Sequence, residues 1–274
     1  MAFIDIEKSI AAGRPARLYL FELDSVSWAF TSADRLIRFG ARDYHPAALT
    51  DDGIRLTGEA SADTLTLTVP ADLAPALRFA GHPPASEMFL TIRDTHYGLP
   101  DAPENALVVW IGTVVSIRWT RPGTAEMVCE NLSASMARPA LRLNYERNCP
   151  HALFDTDCRT GRAAWRIDAE VTDVVDGLRV KLSTCNPDVS YAGGYIEWFS
   201  SDGTANRRAI EAQNGVDFDL LSGTQGIAAG LRVALYPGCD GSRATCNGIF
   251  GNLDNYGGFA HMPGESPFEN NQFF

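Results

Sequence analysis

The clearest alternation of hydrophobic and polar positions lies in the stretch TLTLTV, residues 64–69. Three threonines alternate there with three aliphatic residues, Leu65, Leu67 and Val69. Successive side chains of an extended strand point to opposite faces, so this alternation predicts a β-strand with its aliphatic face buried.

Further segments have strand character because β-branched and aromatic residues dominate them and turn residues bound them. They are residues 16–23, 87–94, 106–120, 124–132, 163–184, 194–221 and 230–236. Asp176-Gly177, Asp202-Gly203 and residues 121–123 predict reversals between strands. Residues 133–141 are consistent with one short helix, and no segment keeps a 3.6-residue apolar period over three turns. The predicted fold class is mainly β, with antiparallel barrel-like or sandwich-like domains.

The cysteine distribution divides the chain near residue 140, because every cysteine except Cys129 lies beyond that point. We therefore expect an amino-terminal β domain over residues 1–140, used for assembly, and a β-rich, loop-rich domain over residues 141–274. The glycine-rich segment 236–259 is expected to form neither a helix nor a strand.

Composition and charge narrow the classes of function. The 274 residues include 34 acidic and 23 basic residues, for a net charge of -11, and no basic block interrupts the mixture. Such a surface repels phosphate backbones, which disfavours a sequence-reading nucleic-acid binder but suits a channel lining past which DNA slides. No apolar run reaches the roughly 18 residues that span a bilayer, and no secretion signal is evident, so we expect no membrane segment and folding in a cytoplasm.

The six cysteines fall into two groups. Cys129 and Cys185 sit within or at the end of apolar strands and are expected to be small buried hydrophobes. The other four form two pairs in polar loops beside proline or glycine: Cys149 and Cys158 with eight residues between them, and Cys239 and Cys246 with six.

Three interpretations compete for these four thiols. Disulfides need an oxidising compartment, which the missing secretion signal disfavours. A structural zinc ion usually takes paired thiolates at a C-x2-4-C spacing, shorter than either gap here, although a zinc site with long loops stays open. Longer loops suit a larger object, such as an iron-sulfur cluster. A fourth interpretation, a hydrolase that pairs Cys239 with His151 or His261, leaves the other three cysteines without a role.

The two cysteine pairs carry a resemblance to a known family. A C-x8-C pair, a β-rich stretch and a C-x6-C pair followed by FGNLDNYGGF resemble the carboxy-terminal part of phage tail-tip hub proteins. That family includes the minor tail protein L of lambdoid phages and the hub protein of gene transfer agents. Two positions depart from the family's pattern, since Tyr256 stands where phenylalanine is usual and Ala260 where proline is usual.

The resemblance implies a 4Fe-4S cluster with Cys149, Cys158, Cys239 and Cys246 as its ligands. It also implies a supporting motif made of Phe250, Asn252, Asn255, Gly257, Gly258 and Phe259. Glycines of this segment, including Gly238 and Gly241, are expected to adopt positive φ and to bring backbone N–H groups close to sulfur. We expect Asn252 and Asn255 to cap turns, Phe259 and Tyr256 either to cover the site or merely to pack a loop, and the cluster to be structural instead of redox-active.

The function implied by the resemblance is a structural one, with no reaction. The chain would be a hub subunit of a phage or gene-transfer-agent tail tip, assembled in the bacterial host cytoplasm and located in the virion. A ring of three copies would join the distal tail protein to a large central tail-tip or fibre protein around the DNA channel. The alternative is a cytoplasmic β-sandwich that is crosslinked by zinc and binds another protein.

Overall fold

A computed structural model describes residues 3–9, 11, 13–55, 57, 63–137 and 143–262. The chain divides into two compact units, residues 1–138 with 199–206, and residues 139–198 with 207–274. The predicted boundary near residue 140 lies outside the described residues and stays a prediction. Residues 199–206, which the sequence places in the second half, group with the first unit.

The first unit is built on a nine-stranded sheet. Its strands are β1 (Pro15–Leu23), β2 (Val26–Thr31), β3 (Ile37–Phe39), β4 (Arg42–Pro46), β5 (Thr50–Asp51), β6 (Leu65–Pro70), β7 (Met88–His96), β8 (Ala106–Arg121) and β9 (Thr124–Asn131). Their order across the sheet is β3-β4-β2-β1-β7-β8-β9-β6-β5. The pairs are antiparallel except β2 with β4, which run parallel, in keeping with the prediction of mainly antiparallel pairing.

The predicted alternation of residues 64–69 is confirmed in β6. Leu65, Leu67 and Val69 are buried, while the threonines between them face away from the core. They pack with inward-facing residues of β1, β7, β8 and β9, among them Phe21 and Met127, and with the short helix beside them. The first unit therefore has one extensive apolar core and, apart from it, a smaller apolar cluster that includes Leu18 and Tyr44.

The second unit contains a closed six-stranded barrel. Its strands are β10 (Ile167–Val175), β11 (Arg179–Leu182), β12 (Tyr195–Phe199), β13 (Ala205–Asn214), β14 (Asp217–Leu220) and β15 (Arg232–Tyr236), in the order β10-β11-β14-β13-β12-β15. Asp176 and Gly177 both have positive φ, 53° and 67°, at the predicted turn between β10 and β11. Inward-facing residues such as Val171, Phe218 and Leu235 fill the barrel. The prediction of a mainly β fold is confirmed.

Helices are short along the described residues. They are α1 (Phe3–Glu7), α2 (Ala74–Leu77), α3 (Arg243–Gly248) and 3-10 turns at Pro103–Asn105, Leu132–Ala137, Arg162–Trp165 and Leu253–Asn255. In the part of the chain that the structure describes, no helix has the length and hydrophobicity needed to cross a bilayer.

Two predictions about helices need correction. The short helix expected over residues 133–141 is a 3-10 turn as far as the described residues reach. The glycine-rich segment 236–259 does contain a helix, α3, because the Ser242 side chain caps it by accepting a hydrogen bond from the Thr245 backbone N–H.

Candidate metal centre

The second unit brings its two cysteine-bearing segments together beside the barrel. Cys149 and Cys158 lie in the loop before β10, Cys239 follows β15, and Cys246 lies in α3. The backbone N–H of Cys149 donates to the carbonyl oxygen of Gly241 at 2.8 Å, which joins the first segment to the second.

Apolar burial does little to hold this part of the molecule. Residues 143–166 include no buried residue, and residues 239–262 include one, Cys246. At the border, Trp165 and Phe250 pack edge to face with ring centres 4.8 Å apart, and Trp165 and Ile249 contact the barrel core. The cysteine segments thus have an attachment to the barrel but no apolar core of their own.

All four thiols are free, and they lie within electrostatic range of one another. Burial raises the pKa of the Cys246 thiol, and the charges of Cys149, Cys239 and Cys158 raise it further. Burial also raises the pKa of Cys239, against a smaller opposing effect of a hydrogen bond from the Gly241 backbone N–H. These shifts disfavour the cysteine-hydrolase interpretation, because a nucleophilic thiol needs a lowered pKa.

The four thiols do not form a group as compact as the ligands of one ion. Within the described residues, the group of three potential ligand atoms found within 4.8 Å of one another is His151, Asp155 and Asp157, which includes no thiol. One tetrahedral zinc ion with sulfur ligands at about 2.3 Å would hold its sulfur atoms about 4 Å apart. No three of the four thiols therefore have the mutual spacing of sulfur ligands on one zinc ion.

Glycines allow the two segments to approach closely. A Cβ atom on Gly258 would lie 2.6 Å from the carbonyl oxygen of Arg147, and one on Gly257 would lie 2.2 Å from the His151 ring. On Gly238 it would lie 1.9 Å from the Ala192 carbonyl oxygen. Each of these contacts is shorter than a side chain permits, so the chain paths require glycine.

Only some of the glycines of segment 236–259 have the expected positive φ. Gly241 and Gly251 have φ values of 70° and 58°, whereas Gly238, Gly248, Gly257 and Gly258 are not in the left-handed region. Close approach of neighbouring backbone explains Gly238 and Gly258, and close approach of the His151 ring explains Gly257, without positive φ at any of the three. The expected N–H contact to sulfur does occur, since the Gly257 N–H donates to the Cys149 sulfur at 3.4 Å.

Asn252 and Asn255 differ from the expected turn caps. The Asn252 side chain makes no cap hydrogen bond although it precedes the 3-10 turn Leu253–Asn255. Its amide nitrogen instead lies 3.6 Å from the Cys158 sulfur, and its amide oxygen accepts from the Asn255 amide at 2.6 Å. The prediction for Asn252 was wrong because its partner lies 94 residues away.

The aromatic residues of the motif pack around the loops. The Phe259 ring packs at a tilt against Tyr145 with ring centres 4.9 Å apart and stays 46% exposed, and its backbone N–H donates to the Glu146 carbonyl oxygen. The Tyr256 hydroxyl donates to the Arg147 carbonyl oxygen at 2.8 Å. These contacts favour loop packing for both residues over the covering role.

Asp155 is a residue that the sequence analysis missed. One of its carboxylate oxygens accepts from the backbone N–H groups of Asp157 and Cys158, and the other accepts from Ala152. These bonds fold the loop between Cys149 and Cys158. An aspartate that bonds backbone N–H groups two and three residues ahead is a local signal that sequence inspection can find.

The two remaining cysteines also have defined places. Cys129 is fully buried in β9, as predicted, and burial raises the pKa of its thiol. Cys185 is only half-buried, and its sulfur lies 3.4 Å from the Gly215 carbonyl oxygen. Cys185 packs against the barrel core but is only partly buried, because it lies beyond the end of β11, so the expectation of a buried residue holds in part.

Two family models match the chain. One, described as the phage conserved hypothetical protein BR0599, matches residues 189–266. The other, described as the N-terminal attachment domain of baseplate hub protein, matches residues 15–161, which is more than half of the chain. The chain belongs to the phage baseplate hub family. The predicted phage hub family and the predicted location in the virion tail are confirmed, whereas the four-cysteine iron-sulfur motif stays a prediction.

Two similar proteins extend the comparison. A solved structure of the virion of a native gene transfer agent (GTA) particle contains a chain that is 20% identical, with a TM-score of 0.76. That match covers 96% of this chain and 92% of the other, and it shows a shared fold. An uncharacterized protein of Xylella fastidiosa (strain 9a5c) is 26% identical over 202 residues, which cover 66% of this chain. This chain spans 41% of that relative's length.

Proposed function

We propose that this baseplate hub protein is a subunit of the tail tip of a phage or gene transfer agent. It joins the distal tail protein to a large central tail-tip or fibre protein around the DNA channel, as a ring of three copies. The match to the attachment-domain model supports this proposal, and the acidic net charge suits a channel past which DNA moves. The role is assembly, without a catalysed reaction.

A 4Fe-4S cluster is the second part of the proposal. Cys149, Cys158, Cys239 and Cys246 would hold it, and it would supply metal–thiolate bonds that crosslink the two segments. The observation that carries this assignment is the meeting of four free thiols in a region with almost no buried residues. Donor groups for the sulfur atoms are also present, since backbone N–H groups of Gly241 and Gly257 bond to Cys239 and Cys149.

The free energy of the metal–thiolate bonds can be compared with the chain entropy that the crosslink removes. Joining Cys158 to Cys239 closes a loop of roughly 80 residues, which costs on the order of 4 kcal/mol of chain entropy in the unfolded state. The pairing of β10 with β15 in the barrel offsets part of this cost, whereas apolar burial at the cysteine segments adds little. Metal–thiolate bonds, whose folding free energy in small zinc domains is about 10 kcal/mol or more, exceed it.

Iron and acid-labile sulfide, measured on anaerobically purified protein, test the cluster. We expect about four of each per chain and a brown protein that absorbs near 400 nm, by the cluster's stoichiometry and its charge-transfer bands. A colourless protein with one zinc ion per chain would establish the zinc alternative. A protein without any metal would overturn both.

Cysteine variants test the ligand assignment. Cys149→Ser and Cys246→Ser should each lose most of the bound iron and loosen residues 143–166 and 239–262, as followed by hydrogen exchange. Cys185→Ser is the matched control, because Cys185 lies elsewhere in the same unit and should keep its iron. Full cluster occupancy in Cys149→Ser and Cys246→Ser would contradict the assignment.

Assembly is tested by sedimentation of the purified chain, and by its copurification with a coexpressed distal tail protein and central tail-tip protein. We expect a trimer that binds both partners. A chain that stays monomeric and binds neither partner would argue against the hub role while leaving the cluster question open.

A further inference from the structure

Asn252 contacts one cysteine of each pair. Its backbone N–H donates to the Cys246 carbonyl oxygen at 3.0 Å, and the Cys246 sulfur lies 3.3 Å from the Asn252 carbonyl oxygen. Its side chain reaches the other cysteine segment, where it contacts Cys158. The residue therefore connects the two segments at their sulfur-bearing ends.

The side-chain amide of Asn252 is directed at a compact group of acceptors. Its nitrogen contacts the Cys158 carbonyl oxygen, and lies 3.0 Å from the Thr160 hydroxyl and 3.6 Å from the Cys158 sulfur. The Thr160 hydroxyl is itself 3.3 Å from that sulfur. The Cys158 sulfur thus lies beside two polar groups that can donate hydrogen bonds to it.

A second asparagine fixes the orientation of this amide. The Asn255 amide nitrogen donates to the Asn252 amide oxygen at 2.6 Å. The Cys158 carbonyl oxygen can only accept, so the amide end of Asn252 that faces it must be the nitrogen, and Asn255 supplies a donor for the oxygen at the other end. The donor character of this contact follows from the bonding network and does not depend on an arbitrary choice of amide orientation.

We infer that Asn252 is a positioning residue that holds Cys158 for the inorganic centre and donates a hydrogen bond to its thiolate. This inference rests on the proposed cluster. Hydrogen bonds to ligand sulfur stabilise negative charge, and the reduced form of a cluster carries one more negative charge than the oxidised form. Asn252 therefore raises the reduction potential of the cluster and slows its loss.

Three variants separate hydrogen bonding from charge. Asn252→Ala removes the donor without adding charge, and Asn252→Asp replaces the donor by a negative acceptor of the same shape. Asn247→Asp is the matched control, because Asn247 is exposed on α3 beside Cys246 and gains the same charge. The readouts are the reduction potential from an anaerobic redox titration and the rate of absorbance loss in the presence of a chelator.

We expect a lower potential and a several-fold faster loss of cluster in Asn252→Ala, a larger shift in Asn252→Asp, and little change in Asn247→Asp. If Asn252→Ala matches the wild type while both aspartate variants shift equally, the effect is one of charge and the inference fails. If Asn252→Ala does not fold, Asn252→Leu, which has a similar size but no donor, takes its place and should lower the potential; an unchanged potential there overturns the inference.

A readout that does not depend on the reduction potential addresses the positioning role separately. In the iron-loaded protein, Asn252→Ala should increase hydrogen exchange of residues 155–160 compared with Asn247→Asp, because the contact to Cys158 is lost. Unchanged exchange would overturn the positioning role. A wild-type chain that binds no iron would instead overturn the proposed cluster, so the two failures are distinguishable.

Discussion

Different interactions stabilise the sheet of the first unit and the cysteine segments of the second unit. In the sheet, residues of five strands meet in one core where Phe21, Leu67 and Met127 are wholly buried. Around the cysteines, Cys246 is the one buried residue over 143–166 and 239–262, and named polar contacts connect the segments. A core tolerates conservative exchange at many positions, whereas these segments depend on a few irreplaceable contacts.

The largest effect on the free energy of unfolding is expected from substitutions in the two apolar cores. Phe21→Ala in the sheet and Phe218→Ala in the barrel each remove a fully buried ring and should each lower the free energy of unfolding by about 3–5 kcal/mol. Denaturant unfolding followed by hydrogen exchange and mass spectrometry assigns each loss to a unit. Equal loosening of both units by either variant would contradict the picture of two separate cores.

An intermediate effect on the free energy of unfolding is expected when a glycine at a contact between two backbone segments is replaced. Gly258→Ala places a Cβ 2.6 Å from the Arg147 carbonyl oxygen and should lower the free energy of unfolding by about 1–3 kcal/mol. Gly248→Ala is the matched control, because no atom lies within 4 Å of the added Cβ. Thermal unfolding of both variants measures the difference. Equal stability would show that the segments are free to separate at this point.

A smaller, pH-dependent effect is expected at Glu197 on the barrel. Burial alone would raise the pKa of Glu197, but its hydrogen bonds to Arg162 and Arg207 outweigh burial and lower that pKa below its usual value of 4.5. A lowered folded-state pKa gives stability that is present above pH 4.5 and is lost as the pH falls through the folded-state value.

Glu197→Gln should therefore cost about 1–2 kcal/mol at neutral pH and flatten the loss of stability below pH 4.5. Asp168→Asn, at an exposed pair with Arg166, serves as the control and should leave stability almost unchanged, because solvent screens that pair. Urea unfolding from pH 7 to pH 3 checks both. An unaltered acid-side slope in Glu197→Gln would contradict the role assigned to this carboxylate.

Local pattern predicted much of the fold. The period of two in β6 identified its buried face, and Asp-Gly pairs located turns, because both signals depend only on neighbours in the chain. Helix α3 was not predicted, because the glycine content of its segment argued against a helix. The Ser242 side chain, which accepts a hydrogen bond from the Thr245 backbone N–H, is a local cap signal that indicates this helix. The family motif pointed to the right family, and the two cysteine pairs to one shared site.

By itself, the sequence determined the β class of this baseplate hub protein, its strand positions, and the residue types available to bind an inorganic centre. The tertiary structure alone decided that β2 pairs in parallel with β4 and that six strands close into a barrel. It also decided that Gly258 lies against Arg147 and that Asn252 faces Cys158. These features join residues far apart in the chain, and the energies that select them depend on packing and hydrogen bonds that exist only once the chain has folded.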